Sequence, residues 1–181
     1  YFANVGFKWF VWSDRNKRIG DFVEQSNDFN QFSQISGTIG FAKSFFDDKL
    51  TFQYTGEGGF TLGKEASEVF DFRLGGYNQN YVNNFVSFYG YDTGELGDQT
   101  FVKSEFNFRY NVYKNHYATF IANYARVEHD VFKDGKLFDN TKSGYALGYG
   151  LSTFIGPIEL KYTWSPDHKE NYWLFNLGFW F

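Results

Sequence analysis

The run Phe101-Val102-Lys103-Ser104-Glu105-Phe106-Asn107-Phe108-Arg109-Tyr110-Asn111-Val112-Tyr113 decides the fold. Successive side chains of a strand point to opposite faces. Val102, Phe106, Phe108, Tyr110 and Val112 therefore share one face, and Lys103, Glu105, Asn107, Arg109 and Asn111 share the other. A half-buried strand of a soluble sandwich reads the same way, so the neighbouring runs must decide between the two environments. They repeat the polarity. Ile158, Leu160, Tyr162 and Trp164 oppose Glu159, Lys161 and Thr163; Tyr145, Leu147, Tyr149 and Leu151 oppose Gly144, Ala146, Gly148, Gly150 and Ser152.

Composition agrees. Of 181 residues 24% are aromatic (25 Phe, 14 Tyr, 5 Trp) and only 2 are Pro. Mean hydropathy is nevertheless −0.47. No run approaches the roughly 18 apolar residues of a membrane helix. Aromatic richness with low mean hydropathy is what strands produce when one face meets lipid and the other a polar interior. The expected fold is all-β: a transmembrane antiparallel β-barrel, with residues 1–181 forming one barrel segment.

About eight strands are expected, at 1–13, 33–46, 49–62, 101–113, 116–129, 142–155, 157–165 and 170–181, long enough to cross a bilayer at a tilt. The facing of 116–129 is left open by its pattern. Connections alternate in length. Asp47-Asp48-Lys49, Lys114-Asn115 and Ile155-Gly156-Pro157 are tight; 14–32, 63–100 and 130–141 are long and polar. Transmembrane barrels have short periplasmic turns and long outer loops, which places the long loop 63–100 outside and the C-terminus on the periplasmic side. Trp9, Trp12, Trp164, Trp173 and Trp180 lie near strand ends or on apolar faces, where aromatic girdles form.

Chemistry is sparse. Cysteine is absent, and a net charge of −4 leaves no basic footprint for nucleic acid. There is no G-x-S-x-G elbow, and His116, His129 and His168 are scattered over separate turns. Glu128-His129-Asp130 reads as a solvated loop start, because adjacent residues of an extended chain point apart. No catalytic residue, metal ligand or cofactor is therefore expected in this chain. Lys103, Glu105, Arg109, Glu159 and Lys161 face the lumen, where mixed signs favour pairing over a selective pore.

Three stretches carry a family resemblance. Leu74-Gly75-Gly76-Tyr77 followed by Phe88-Tyr89-Gly90-Tyr91-Asp92 and Glu95-Leu96-Gly97 resembles the lumen-folded sixth loop of the BamA-like, POTRA-linked superfamily. Lys142-Ser143-Gly144-Tyr145-Ala146-Leu147-Gly148 leading to Gly156-Pro157-Ile158-Glu159-Leu160 is similar to its glycine-rich strand and the start of its penultimate strand. The ending Phe175, Leu177, Gly178, Phe179 and Phe181 looks like the β-signal read by the barrel assembly machinery. The likeness is greatest to the barrel of patatin-like phospholipases of Bacteroidota, over roughly residues 70–181.

The resemblance implies the C-terminal half of a sixteen-stranded barrel in the bacterial outer membrane, with the remainder preceding Tyr1. It implies outer-membrane lipids, the assembly machinery and periplasmic domains of the same protein as partners, and a hydrolase upstream of this chain. Tyr89 stands where the family has a loop arginine, and Asn123 where many relatives have an acid. An arginine–carboxylate clasp is therefore not expected here. The alternatives are a BamA-type assembly or translocation factor and a stand-alone eight-stranded structural barrel.

Overall fold

The structure, a computed structural model, describes residues 1–11, 18–19, 22–23, 31–63, 68–77, 84–131 and 139–178. The strands are β1 (Phe2–Phe10), β2 (Arg18–Ile19), β3 (Phe22–Val23), β4 (Phe32–Phe45), β5 (Leu50–Gly63), β6 (Phe72–Leu74), β7 (Phe85–Val86), β8 (Leu96–Asp98), β9 (Thr100–Tyr113), β10 (His116–Glu128), β11 (Lys142–Thr153), β12 (Gly156–Trp164) and β13 (Asn171–Leu177). One 3-10 turn spans Glu68–Phe70. Trp12, Phe179, Trp180 and Phe181 lie outside the described residues.

Eight strands form one sheet in the order β1-β4-β5-β9-β10-β11-β12-β13. Every neighbouring pair is antiparallel. The wall is thus a plain meander, and the register sets inward residues beside inward residues. Glu57 lies opposite Lys103, and Glu105 opposite Asn123. β1 and β13 are the two edges, and they do not pair with each other among the described residues.

The two faces are the reverse of a soluble sheet. Lys103, Thr119, Asn123, Lys161, Thr163 and Asn176 are buried, whereas Val5, Phe7, Trp9, Ile39, Leu147, Tyr149, Leu160, Trp173 and Phe175 are exposed. In water such a wall would leave its apolar face unsatisfied, so the exposed side belongs in hydrocarbon. β10 takes a definite facing: Tyr117, Ile121, Asn123 and Ala125 are buried inward, Phe120 and Tyr124 exposed outward.

Turns close the short connections. Between β4 and β5, Phe46, Asp47 and Asp48 all take left-handed backbone (φ 56, 54 and 61°). That conformation costs an L-residue about 1–2 kcal/mol. It is held by the Lys49 N–H on the Phe46 carbonyl (3.2 Å) and by the Asn111 amide on the Asp48 carbonyl (2.7 Å).

The long connection between β5 and β9 folds back over the inner face. β6 pairs in parallel with β7 and antiparallel with β8. Phe72, Leu74, Phe88 and Tyr91 of this segment pack on Phe101 of β9 and Ala125 of β10, with Leu74 and Phe88 wholly buried. Burial on that scale contributes about 1.5–3 kcal/mol per large side chain. Nearer the start of the connection, Phe70 packs on Phe10 and Phe32, whose rings stack at 4.5 Å. The apolar core of the described residues is therefore the interface between the wall and its inserted loop.

Candidate functional site: the inner wall and its inserted loop

The loop tip is seated by backbone contacts. Asn123, fully buried on β10, accepts the Tyr89 N–H at 2.8 Å through Oδ1. Its Nδ2 donates to the Tyr89 carbonyl (3.3 Å) and to the Gly144 carbonyl on β11 (3.0 Å). The asparagine thus binds the main chain of Tyr89. The Tyr89 ring packs with Ile121, Ala146, Tyr77 and Leu174. A Cβ on Gly144 would overlap the Tyr89 carbonyl, and a Cβ on Gly90 would meet the Trp164 carbonyl. Glycine here permits the loop backbone to lie directly on the wall.

Gly75 and Gly76 turn the chain into this docked segment with φ of 142 and 67°. The Gly75 N–H donates to the Val86 carbonyl (3.1 Å), and Gly76 exchanges bonds with Tyr91 and Phe88. Tyr91 reaches the hairpin between β12 and β13. Its hydroxyl donates to Asp167 (2.7 Å), which also accepts the Ser143 N–H (2.9 Å). Ser165 adds a hydrogen bond to the Tyr91 hydroxyl (3.3 Å), and the His168 ring meets the Tyr91 ring edge-on at 4.8 Å. Burial pushes the Tyr91 hydroxyl well above the usual tyrosine range, and its bond to Asp167 adds to this. For the Asp167 carboxyl, burial works upward, but the Ser143 N–H and the Tyr91 hydroxyl more than offset it and hold the group below the usual range.

The inward charges form two groups. Lys103, almost fully buried, lies 3.0 Å from Glu105 on its own strand and 3.4 Å from Glu57 on β5. Lys161 lies 2.7 Å from Glu159. Glu159 also accepts the hydroxyls of Tyr77 (3.0 Å) and Tyr117 (2.9 Å), and Lys161 donates to the Tyr77 hydroxyl (3.1 Å). The loop is therefore joined to the ionic network of the wall through Tyr77. Arg109 makes no ion pair among the described residues; its guanidinium stacks 3.7 Å from the Tyr117 ring and bonds Ser152 (3.3 Å). Each buried cation or anion thus finds partners, as a low-dielectric interior demands.

The wall's last strand presents Phe175 and Leu177 on the exposed face, with Gly178 following in left-handed backbone (φ 91°). Phe179 and Phe181 fall outside the described residues.

The profile of the OMP85 superfamily matches residues 1–181. The chain belongs to the OMP85 superfamily. No curated protein matches it. OMP85 proteins are barrels embedded in the outer membrane, so the exposed apolar face described above is the lipid-facing one and the ionic face lines the lumen. In this OMP85 wall the loop covers the lumen side from β9 to β13.

Several functional contacts are absent from the sequence reading. Glu57 follows the inward parity of Thr51, Gln53 and Thr55, but only the register shows that it faces Lys103. Tyr117 sat on a strand of undecided facing. Ser165 and Asp167 carried no signal, since their partner Tyr91 lies more than seventy residues away.

Proposed function

We propose that this chain is the anchoring and translocating barrel domain of a patatin-like phospholipase-type protein, whose hydrolase lies outside residues 1–181. The observation that supports this reading is the neutral clasp. Asn123 holds the backbone of Tyr89 at 2.8 and 3.3 Å, and neither of the two positions carries a charged side chain. In an assembly factor of the BamA type the resemblance places a loop arginine at that point. A clasp of neutral hydrogen bonds, backed by Tyr77 on Glu159, suits a barrel whose loop stays in place.

Outer-membrane lipids, the barrel assembly machinery and periplasmic domains of the same protein are its proposed partners. The assembly machinery would read Phe175, Leu177, Gly178, Phe179 and Phe181, with the short turns on the periplasmic side. Phe181→Asp should abolish insertion, and normal amounts of the variant in purified outer membranes would defeat that assignment.

The deciding experiment is a lipid-ester hydrolysis assay on the full-length protein extracted from outer membranes. Release of fatty acid supports the reading. Absence of hydrolysis, together with loss of other barrel proteins on depletion, selects the assembly factor instead.

A further inference from the structure

The lipid-facing wall is not uniform. Across β1, β4, β5 and β9 it sinks into a groove of about 430 Å³, within the roughly 300–1,000 Å³ of ordinary small-molecule sites. Its floor is two cross-strand rows, Val5–Gly37–Gly58–Val102 and Ile39–Gly56–Ser104. Ile35 and Phe60 bound it towards one end of the strands and Tyr54 towards the other.

The chain itself has no use for glycine at this floor. None of Gly37, Gly56 and Gly58 has left-handed backbone. A Cβ at Gly58 would find nothing nearer than 3.6 Å, one at Gly37 nothing nearer than 3.4 Å, and one at Gly56 the end of the Tyr54 side chain at 3.1 Å and Ile39 at 3.4 Å. The next residue shows the contrast, because a Cβ at Gly59 would strike the rings of Phe101 and Phe72 on the inner face. Glycine weakens a strand, and where backbone and packing do not require it, it marks close approach by something else. Here the vacant space lies outside the chain.

Position and chemistry identify the occupant. Gly56 and Gly58 sit midway along β5 (Leu50–Gly63), at hydrocarbon depth rather than headgroup depth. The only side-chain hydroxyls on this floor, Ser104 and Tyr54, lie 3.4 Å from each other, and the rest of its outward side chains are apolar or glycine. Val5 and Ile39, at the β1 and β4 ends of the two rows, are exposed and continue the floor into the surrounding lipid-facing surface. We propose that this groove seats one acyl chain of an outer-membrane lipid, held by close packing against a glycine floor. In hydrocarbon no hydrophobic effect drives association, so contact and shape must supply the preference. The inference rests on superfamily membership and stands apart from the hydrolase reading.

The test uses the full-length protein in phosphatidylethanolamine–phosphatidylglycerol vesicles, doped with phosphatidylethanolamine carrying a diazirine at mid-chain. After irradiation, adducts mapped by mass spectrometry should be several-fold more frequent at 35–39, 54–60 and 102–104 than at equally lipid-facing Leu147, Tyr149 and Leu160. Gly58→Leu and, separately, Gly37→Leu should erase that excess. In detergent the same substitutions should raise the unfolding temperature, because they remove glycine freedom from a strand. Even labelling of the wall overturns the proposal, and so does a lowered unfolding temperature in both variants. Disulfide-linked dimers formed through Ile39→Cys would assign the groove to a second copy and overturn it as well.

Discussion

Asn123 bonds three backbone groups from one buried side chain. A buried polar group without a partner costs about 1–3 kcal/mol. Asn123→Leu should therefore lower the temperature at which the protein loses its heat-modifiable gel mobility. Asn123→Asp should be no better, since a carboxylate still accepts the Tyr89 N–H but opposes two carbonyl oxygens. Gly144→Ala should destabilise by about 1–3 kcal/mol, as overpacking does, with the loop displaced from the wall; an unchanged melting curve would refute the close approach. At this scale the sequence pointed to the right pair of positions through the loop motif. The structure joins the two through the Tyr89 main chain. Which atoms of a residue meet a wall more than thirty residues away depends on the docked path of the loop.

The hairpin between β12 and β13 is the element that grips the loop from its far end. Its Asp167 carboxyl is depressed, so it stabilises the docked form fully above the ordinary aspartate value of about 3.9 and loses that contribution as pH falls through its folded pKa. The melting temperature should stay level from neutral pH down to about pH 4 and then fall. Asp167→Asn should flatten part of that acid limb, and an identical acid profile in the variant would remove Asp167 as its source. Among the strands, alternation showed where each ran and which side met lipid, because period two is written in the local sequence. β10 escaped this, since Ala118, Ala122 and Ala125 blur its polarity; packing of Ile121 and Ala125 under the loop decided its facing.

For the whole wall, the open edges matter most. β1 and β13 leave strand backbone without a partner among the described residues, and unpaired groups in hydrocarbon cost several kcal/mol each. A stable barrel needs both edges filled. Hydrogen exchange on the protein in outer membranes should then protect the outward-pointing amides of Phe2–Phe10 and Asn171–Leu177 as strongly as those of β10; rapid exchange at both edges would show that they stay open. The sequence alone determined the all-β class, the number of wall strands and the inverted distribution of apolar and polar faces. These follow from local alternation and turn chemistry, which each stretch of chain carries by itself. Only the tertiary structure decided the strand register, the pairing of Lys103 with Glu57, the joining of Tyr77 to Glu159 and Lys161, and the glycine-floored groove. Those contacts unite residues far apart in the chain, and their partners are chosen by the closing of the sheet and the path of the loop across it.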